Sequence, residues 1–196
     1  MSFSIELELQ KFPKNLELKD RKKALLRPLK TDDEKEFHQL FQGIPEPERM
    51  FIKHRVQDAK VIREWCKNID YGRNLPLMGT IDKKIVGAAT LHQQLGGWKR
   101  HIGRVSVLVH PQFRGRGLAS GLISEILAIA RHAGLERVEA EFIGEQEAAM
   151  KMFAMLGFNE LVRLDDYVKD MQAITHDYIL MGLDLRTDEE YAGVGG

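Results

Sequence analysis

Between Arg104 and His132 the chain passes from an alternating apolar run, through a turn with two glycines, into a run at helical spacing, so strand, anion-binding turn and helix are contiguous. Val105, Val107 and Val109 alternate with Arg104, Ser106 and Leu108, the two-residue period of a strand, and Pro111 ends the ladder by removing an N–H. Leu118, Leu122, Ile126 and Ile129, with Ala119, Ile123 and Leu127 beside them, recur at helical spacing until Gly134, which suits a helix stop. The turn itself reads Gln112-Phe113-Arg114-Gly115-Arg116-Gly117-Leu118-Ala119. Gly115 and Gly117 let the backbone bend tightly and meet a ligand with no Cβ in the way, while the first N–H groups of the helix lack intrahelical partners. The helix macrodipole and the charges of Arg114 and Arg116 then favour an anion such as a pyrophosphate.

Two nucleotide motifs are excluded. No Gly-Lys-Ser/Thr follows the turn, and Ser120 stands where a dinucleotide fingerprint needs its third glycine. The pattern that fits is Arg/Gln-x-x-Gly-x-Gly/Ala, read once as Arg114, Gly117 and Ala119 and again as Gln112, Gly115 and Gly117. On these residues the chain resembles the GNAT superfamily of acyl-CoA-dependent N-acetyltransferases. The resemblance implies an α/β fold with a mixed, mostly antiparallel central sheet flanked by helices.

The order of elements extends the resemblance over residues 24–185. Ala24 to Leu29 reads as a first strand, with Thr31 capping a helix through Phe41. Asp58 to Ile69 reads as a second helix. Leu77 to Ile81 and Ile85 to Leu91 form a hairpin closed at Asp82-Lys83-Lys84, and Arg104 to Val109 is the third strand of that meander. After the central helix come a strand at Arg137 to Ile143, a helix at Glu145 to Leu156 ended by Gly157-Phe158, and strands around Leu161 to Lys169 and His176 to Leu185. Residues 1–23 alternate Ile5, Leu7 and Leu9 with charges, as an N-terminal extension or edge strand, and 186–196 read as a mobile tail.

The 196 residues suffice for one substantial core, and 29 basic against 29 acidic side chains leave no net charge to favour nucleic acid or an anionic membrane. One cysteine excludes an internal disulfide, and the lack of a long apolar run points to the cytoplasm. Cys66, beside Trp65, reads as a small core residue with no adjacent base. The histidines show no ligand spacing with Cys or carboxylates, so no metal is expected.

The resemblance implies acetyl-CoA as co-substrate and a small-molecule or protein amine as acceptor. Backbone groups of Leu108 and Val109 are then expected to pair with pantetheine as an added strand would. N–H groups from Arg114, Gly115, Arg116, Gly117, Leu118 and Ala119 hold the phosphates, with Gln112 completing the motif. Gln146 stands where an Asn often contacts the pantetheine arm.

The sequence departs from the family pattern at two places. Phe153, four residues before Gly157, replaces a Tyr that in many members protonates the departing thiolate. The run from Lys99 to Val109 also lacks the carboxylate often used as base. His101 is the candidate catalytic residue, with Ser106 and His92 as the other polar groups nearby, because an imidazole titrates in the useful range. Asp165, Asp166, Tyr167 and Asp170 form either an acidic rim for a cationic amine or a solvated strand face. The two departures also allow an alternative, a noncatalytic acyl-CoA-binding or sensing module.

Overall fold

The computed structural model describes residues 2–49, 52 and 55–186. The tail expected at 186–196 lies, from residue 187 on, outside the described residues. The elements are α1 (Ser2–Leu9), β1 (Lys14–Glu17), β2 (Lys23–Pro28), α2 (Glu34–Gln42), α3 (Glu46–Arg49), α4 (Ala59–Lys67), β3 (Asn74–Ile81), β4 (Lys84–His92), β5 (Ile102–Val109), α5 (Leu118–His132), β6 (Arg137–Ile143), α6 (Glu147–Met155), β7 (Asn159–Lys169) and β8 (Thr175–Asp184). The strands form one sheet in the order β1-β2-β3-β4-β5-β6-β8-β7. Every pairing is antiparallel except β5 with β6, which α5 connects as a crossover helix.

Helices cover the sheet unequally, and the strand sequences show it. β3 and β4 are buried on both faces, between α5 on one side and α2 with α4 on the other, so their side chains run almost continuously buried. β5 keeps a two-residue alternation because only one of its faces is packed along its length: Val105, Val107 and Val109 join the core under α5, whereas Arg104 and Ser106 are exposed. Leu118, the first residue of α5, is 1% exposed and seats in a hollow left by two glycines. A Cβ on Gly79 would lie 2.7 Å from its Cδ1, and one on Gly87 would lie 3.0 Å from its Cδ2. These glycines let the start of the helix sit close on the sheet.

Two local expectations need correction. The alternation of Ile5, Leu7 and Leu9 is helical, not extended: Ile5 and Glu8 are buried and Leu7 is exposed, because α1 packs one face against α5. The edge strand is Lys14–Glu17 instead. Thr31 makes no side-chain cap; Asp33 accepts from the Lys30 N–H at 2.8 Å and from both Arg27 guanidinium nitrogens at 2.6 and 2.7 Å. Burial pushes the Asp33 carboxyl up, but the Arg27 hydrogen bonds and the Lys30 N–H outweigh that and hold it below its ordinary value.

Candidate functional site

β5 and β6 are paired over only three rungs, Ile102 with Arg137, Gly103 with Val138 and Arg104 with Glu139. Beyond Arg104 they part, and a wedge opens toward their C-terminal ends, where β5 runs into the two-glycine turn and β6 runs into the turn before α6. On its other side β5 stays paired with β4 up to Val109, opposite Gly87.

Antiparallel pairing decides which backbone groups face the wedge. His110 donates its N–H to the Val86 carbonyl at 2.9 Å, so His110, Leu108 and Ser106 form the hydrogen-bonded pairs with β4. The N–H and C=O groups of Val105, Val107 and Val109 therefore point the other way; the Val105 N–H closes the last rung with Glu139 of β6, and the groups of Val107 and Val109 face the wedge. Leu108, expected to offer its backbone to a ligand, has spent both groups on Ala88, and Val107 takes its place beside Val109. The Val109 carbonyl accepts from Arg114 Nε at 3.0 Å, which leaves its N–H for another partner.

At the wedge mouth Gly115 and Gly117 adopt φ of +74° and +90°, conformations that strain any residue with a Cβ. Gly115 faces open space, and a Cβ there would meet no atom within 4 Å. Gly117 is the N-cap of α5 and supplies no side-chain partner, so the first N–H groups of a 15-residue helix are left to a ligand or solvent. Backbone donors and bare glycines thus fit a pyrophosphate.

The two turn arginines are already engaged. Arg114 makes a bidentate pair with Glu48 of α3 at 2.9 and 2.6 Å. Arg116 donates to Asp20 and to the Gln112 carbonyl, both at 2.8 Å, and lies over the Phe113 ring. Both ion pairs are partly exposed and so exchange readily for another anion. On the opposite lip the Gln146 amide oxygen accepts from the Ile143 N–H at 3.0 Å, closing the turn after β6. Gln146 thus stands at the same end of the sheet as the turn, with its NH2 facing outward from that hydrogen bond.

The structure does not bring His101 to this end. It precedes the paired rungs at the closed apex, six residues from Val107 and therefore roughly 20 Å away along the strand. Its backbone carbonyl accepts from Glu136 and Arg137, which fastens the apex. A different polar group lies halfway along the uncovered face. His92 Nε2 is 3.2 Å from the Ser106 hydroxyl, and His92 Nδ1 is 2.7 Å from Asn74 Oδ1. The Asn74 carbonyl oxygen assigns the proton to Nδ1 and leaves Nε2 to accept from Ser106. No motif marks this relay, since its members come from three strands. Nearby, Arg104 and the Tyr178 hydroxyl both donate to Glu141, at 3.2 and 3.3 Å. Burial, with Glu141 beside it, pushes the Tyr178 phenol up to about 12, so it stays a donor.

Phe153 is 1% exposed, packed edge-on against Phe142 and Phe158 with ring centroids 5.0 and 4.9 Å away. It is a buried core residue, packed against Phe142 of β6. Among the suggested acidic rim, Asp170 accepts from the Gln172 and Ile174 N–H groups and Asp166 from the Thr175 hydroxyl, so these two shape the β7–β8 hairpin. Cys66 is buried, and burial pushes its thiol up to about 11. Among the described residues no three His, Cys, Asp or Glu side chains converge as a metal site would, and no helix is long and apolar enough to cross a membrane.

Residues 34–158 match the family model described as acetyltransferase (GNAT) family. An acetyltransferase designated YE1169 from Yersinia enterocolitica is 27% identical over 126 residues, covering 64% of this chain and 75% of that protein. The GNAT domain of PAT from S. lividans superposes with a TM-score of 0.72 at 20% identity, covering 87% of this chain and 96% of that one. YncA from Salmonella typhimurium, a putative acetyltransferase solved with its cofactor acetyl-CoA, gives 0.71 at 18% identity, covering 84% and 95%.

Proposed function

Because the chain belongs to the acetyltransferase (GNAT) family, we propose that it moves the acetyl group of acetyl-CoA to a primary amine by direct attack, without a covalent enzyme intermediate. The observation that carries this reading is the free inner edge of β5, which ends in a backbone cradle with no Cβ at Gly115 or Gly117. Acetyl-CoA supplies the activated thioester and the pyrophosphate that such a site accepts.

The chain's own groups supply the rest. N–H groups at the start of α5 take the phosphates, and the inward N–H groups of Val107 and Val109 take the amide arm in the manner of strand addition. An N–H aligned on the thioester oxygen contributes about 10²–10³ in rate in comparable acyl transfers. Attack forms the C–N bond and breaks the C–S bond, and the amine must lose a proton. A lysine-like amine is almost wholly protonated near neutral pH, so a group within reach must accept that proton. We assign this task to Ser106 backed by His92 and Asn74, in place of His101. The thiolate leaves without a tyrosine; an ordinary thiol pKa of about 8.5 makes it a fair leaving group.

The burial of Phe153 favours a second reading, an acyl-CoA-binding module without turnover, since no hydroxyl stands at that position. Release of free CoA across a panel of polyamines, amino acids, aminoglycosides and peptide amines separates the two. Product formation with any amine establishes transfer. Tight acetyl-CoA binding with no product from any of them supports the module instead.

A further inference from the structure

The N-terminal hairpin lies outside the region matched to the family, which starts at residue 34, yet it is built onto the helix that carries the cradle. Its contacts climb α5 one turn at a time. Lys14 Nζ pairs with Glu125 at 2.6 Å. Leu16 covers Gly121, and an added Cβ there would collide with its Cδ2. Lys19 crosses Gly117, its Cγ and Cε standing 3.8 and 4.0 Å from the place a Cβ would occupy. Residues 117, 121 and 125 are four apart and form one stripe on the helix. The pairing of Lys14 with Leu26 through Glu17 with Lys23 prevents the hairpin from sliding along that stripe.

At its tip the hairpin joins the cradle itself: the Lys19 N–H donates to the Arg116 carbonyl at 2.9 Å. The charges divide unevenly there. Glu48 holds Arg114 and Asp20 holds Arg116, whereas among the described residues no carboxylate pairs with the Lys19 ammonium. A cation held over a helix N-terminus without a counter-ion raises the local potential where an anion already gains from the macrodipole.

We propose that Lys19 pairs with the pyrophosphate of acetyl-CoA above the first turn of α5, which makes the N-terminal hairpin part of the co-substrate site. This rests on the acetyl-CoA reading given above. The pyrophosphate is favoured over the 3′-phosphate because the lysine stem crosses Gly117, directly over the unpaired N–H groups.

Calorimetric titration of CoA and of 3′-dephospho-CoA into the wild type, Lys19→Ala and Lys19→Arg tests this. Lys19→Ala is expected to weaken both ligands by about tenfold, the effect of one charge-assisted contact, and Lys19→Arg to restore most of it. The loss shrinks at high salt, and the melting temperature is unchanged because the ammonium has no partner in the described protein. Equal affinities of wild type and Lys19→Ala overturn the proposal. So does a loss seen with CoA and absent with 3′-dephospho-CoA, which places the ammonium on the 3′-phosphate. A wild type that binds neither ligand overturns the acetyl-CoA reading and takes this proposal with it.

Discussion

β5 has two ends with the same valine alternation and opposite fates. From Ile102 to Val105 it is bonded to a strand on each side; from Ser106 to Val109 it is bonded only to β4. At the first end the backbone is consumed by the sheet, and His101 serves to fasten it. At the second end Val107 and Val109 keep N–H and C=O groups facing a gap, and the chain turns straight into a helix N-terminus. The difference teaches that an open strand edge here is made by withdrawing a neighbour rather than by adding a special side chain. Where a buried donor is left without a sheet partner, a ligand able to act as a strand recovers that hydrogen bond.

The strongest way to break the comparison is at the open end. Gly117→Asp forces a side chain into φ of +90° and sets a negative charge on the helix N-terminus. We expect at least about a 100-fold loss of acetyl-CoA affinity by calorimetry, equivalent to about 2.7 kcal/mol. Unchanged affinity removes the cradle.

The next effect concerns the relay. His92→Gln keeps a hydrogen-bonding side chain but cannot take up a proton, and kcat is expected to fall by about 10²-fold with the acetyl-CoA affinity unchanged. A wild-type turnover rate for His92→Gln and for Ser106→Ala alike eliminates the relay as proton acceptor.

Across the wedge, Phe153→Tyr buries a hydroxyl among Phe142 and Phe158 and should cost about 1–3 kcal/mol in chemical denaturation without raising the transfer rate. A faster enzyme of normal stability reverses the assignment of Phe153 to the core.

The lip on the β6 side is also tied by charge, because His176 contacts Glu145 at 2.7 Å and Asp170 at 3.3 Å. The Glu145 hydrogen bond raises His176 above its ordinary value, against some desolvation and with help from Asp170. The His176 hydrogen bond in turn lowers Glu145. A raised histidine contributes stability that is complete below its unfolded pKa and is lost as pH rises through the folded one. A lowered carboxylate contributes above its unfolded pKa and is lost as pH falls through the folded one. The difference in melting temperature between wild type and His176→Asn is therefore expected to be greatest between the carboxylate and histidine ranges and to decline above the latter. A difference that grows on the alkaline side contradicts the pairing.

The smallest expected effect is at the closed end. His101→Gln should change kcat by less than about twofold, against the much larger loss for His92→Gln. Equal losses for both histidines remove the reason to prefer the Ser106–His92 relay over His101.

Much of this molecule was legible from residue order. The strand, turn and helix from Arg104 to His132 and the hairpin reversing at Asp82 and Lys83 follow from local periods and turn residues, and the mixed, mostly antiparallel sheet is the one the family resemblance implies. Gly115 and Gly117 mark themselves because only a residue without a Cβ adopts their φ angles without strain. Local alternation misled at Ile5, Leu7 and Leu9, where a short apolar-charged repeat satisfies the strand period and a helix face alike, and packing on α5 chose the helix.

The sequence by itself determined most of the strands and helices, and where a two-glycine turn meets a helix N-terminus, because those depend on neighbours a few residues apart. Only the tertiary structure decided which valines face the gap, that His101 lies at the end of β5 away from the two-glycine turn, that Asn74, His92 and Ser106 meet, and that Lys19 reaches Gly117. Each of these depends on register between strands or on packing between segments distant in the chain. One step of register reverses every backbone group and every side chain on a strand, and nothing within a single segment records that step.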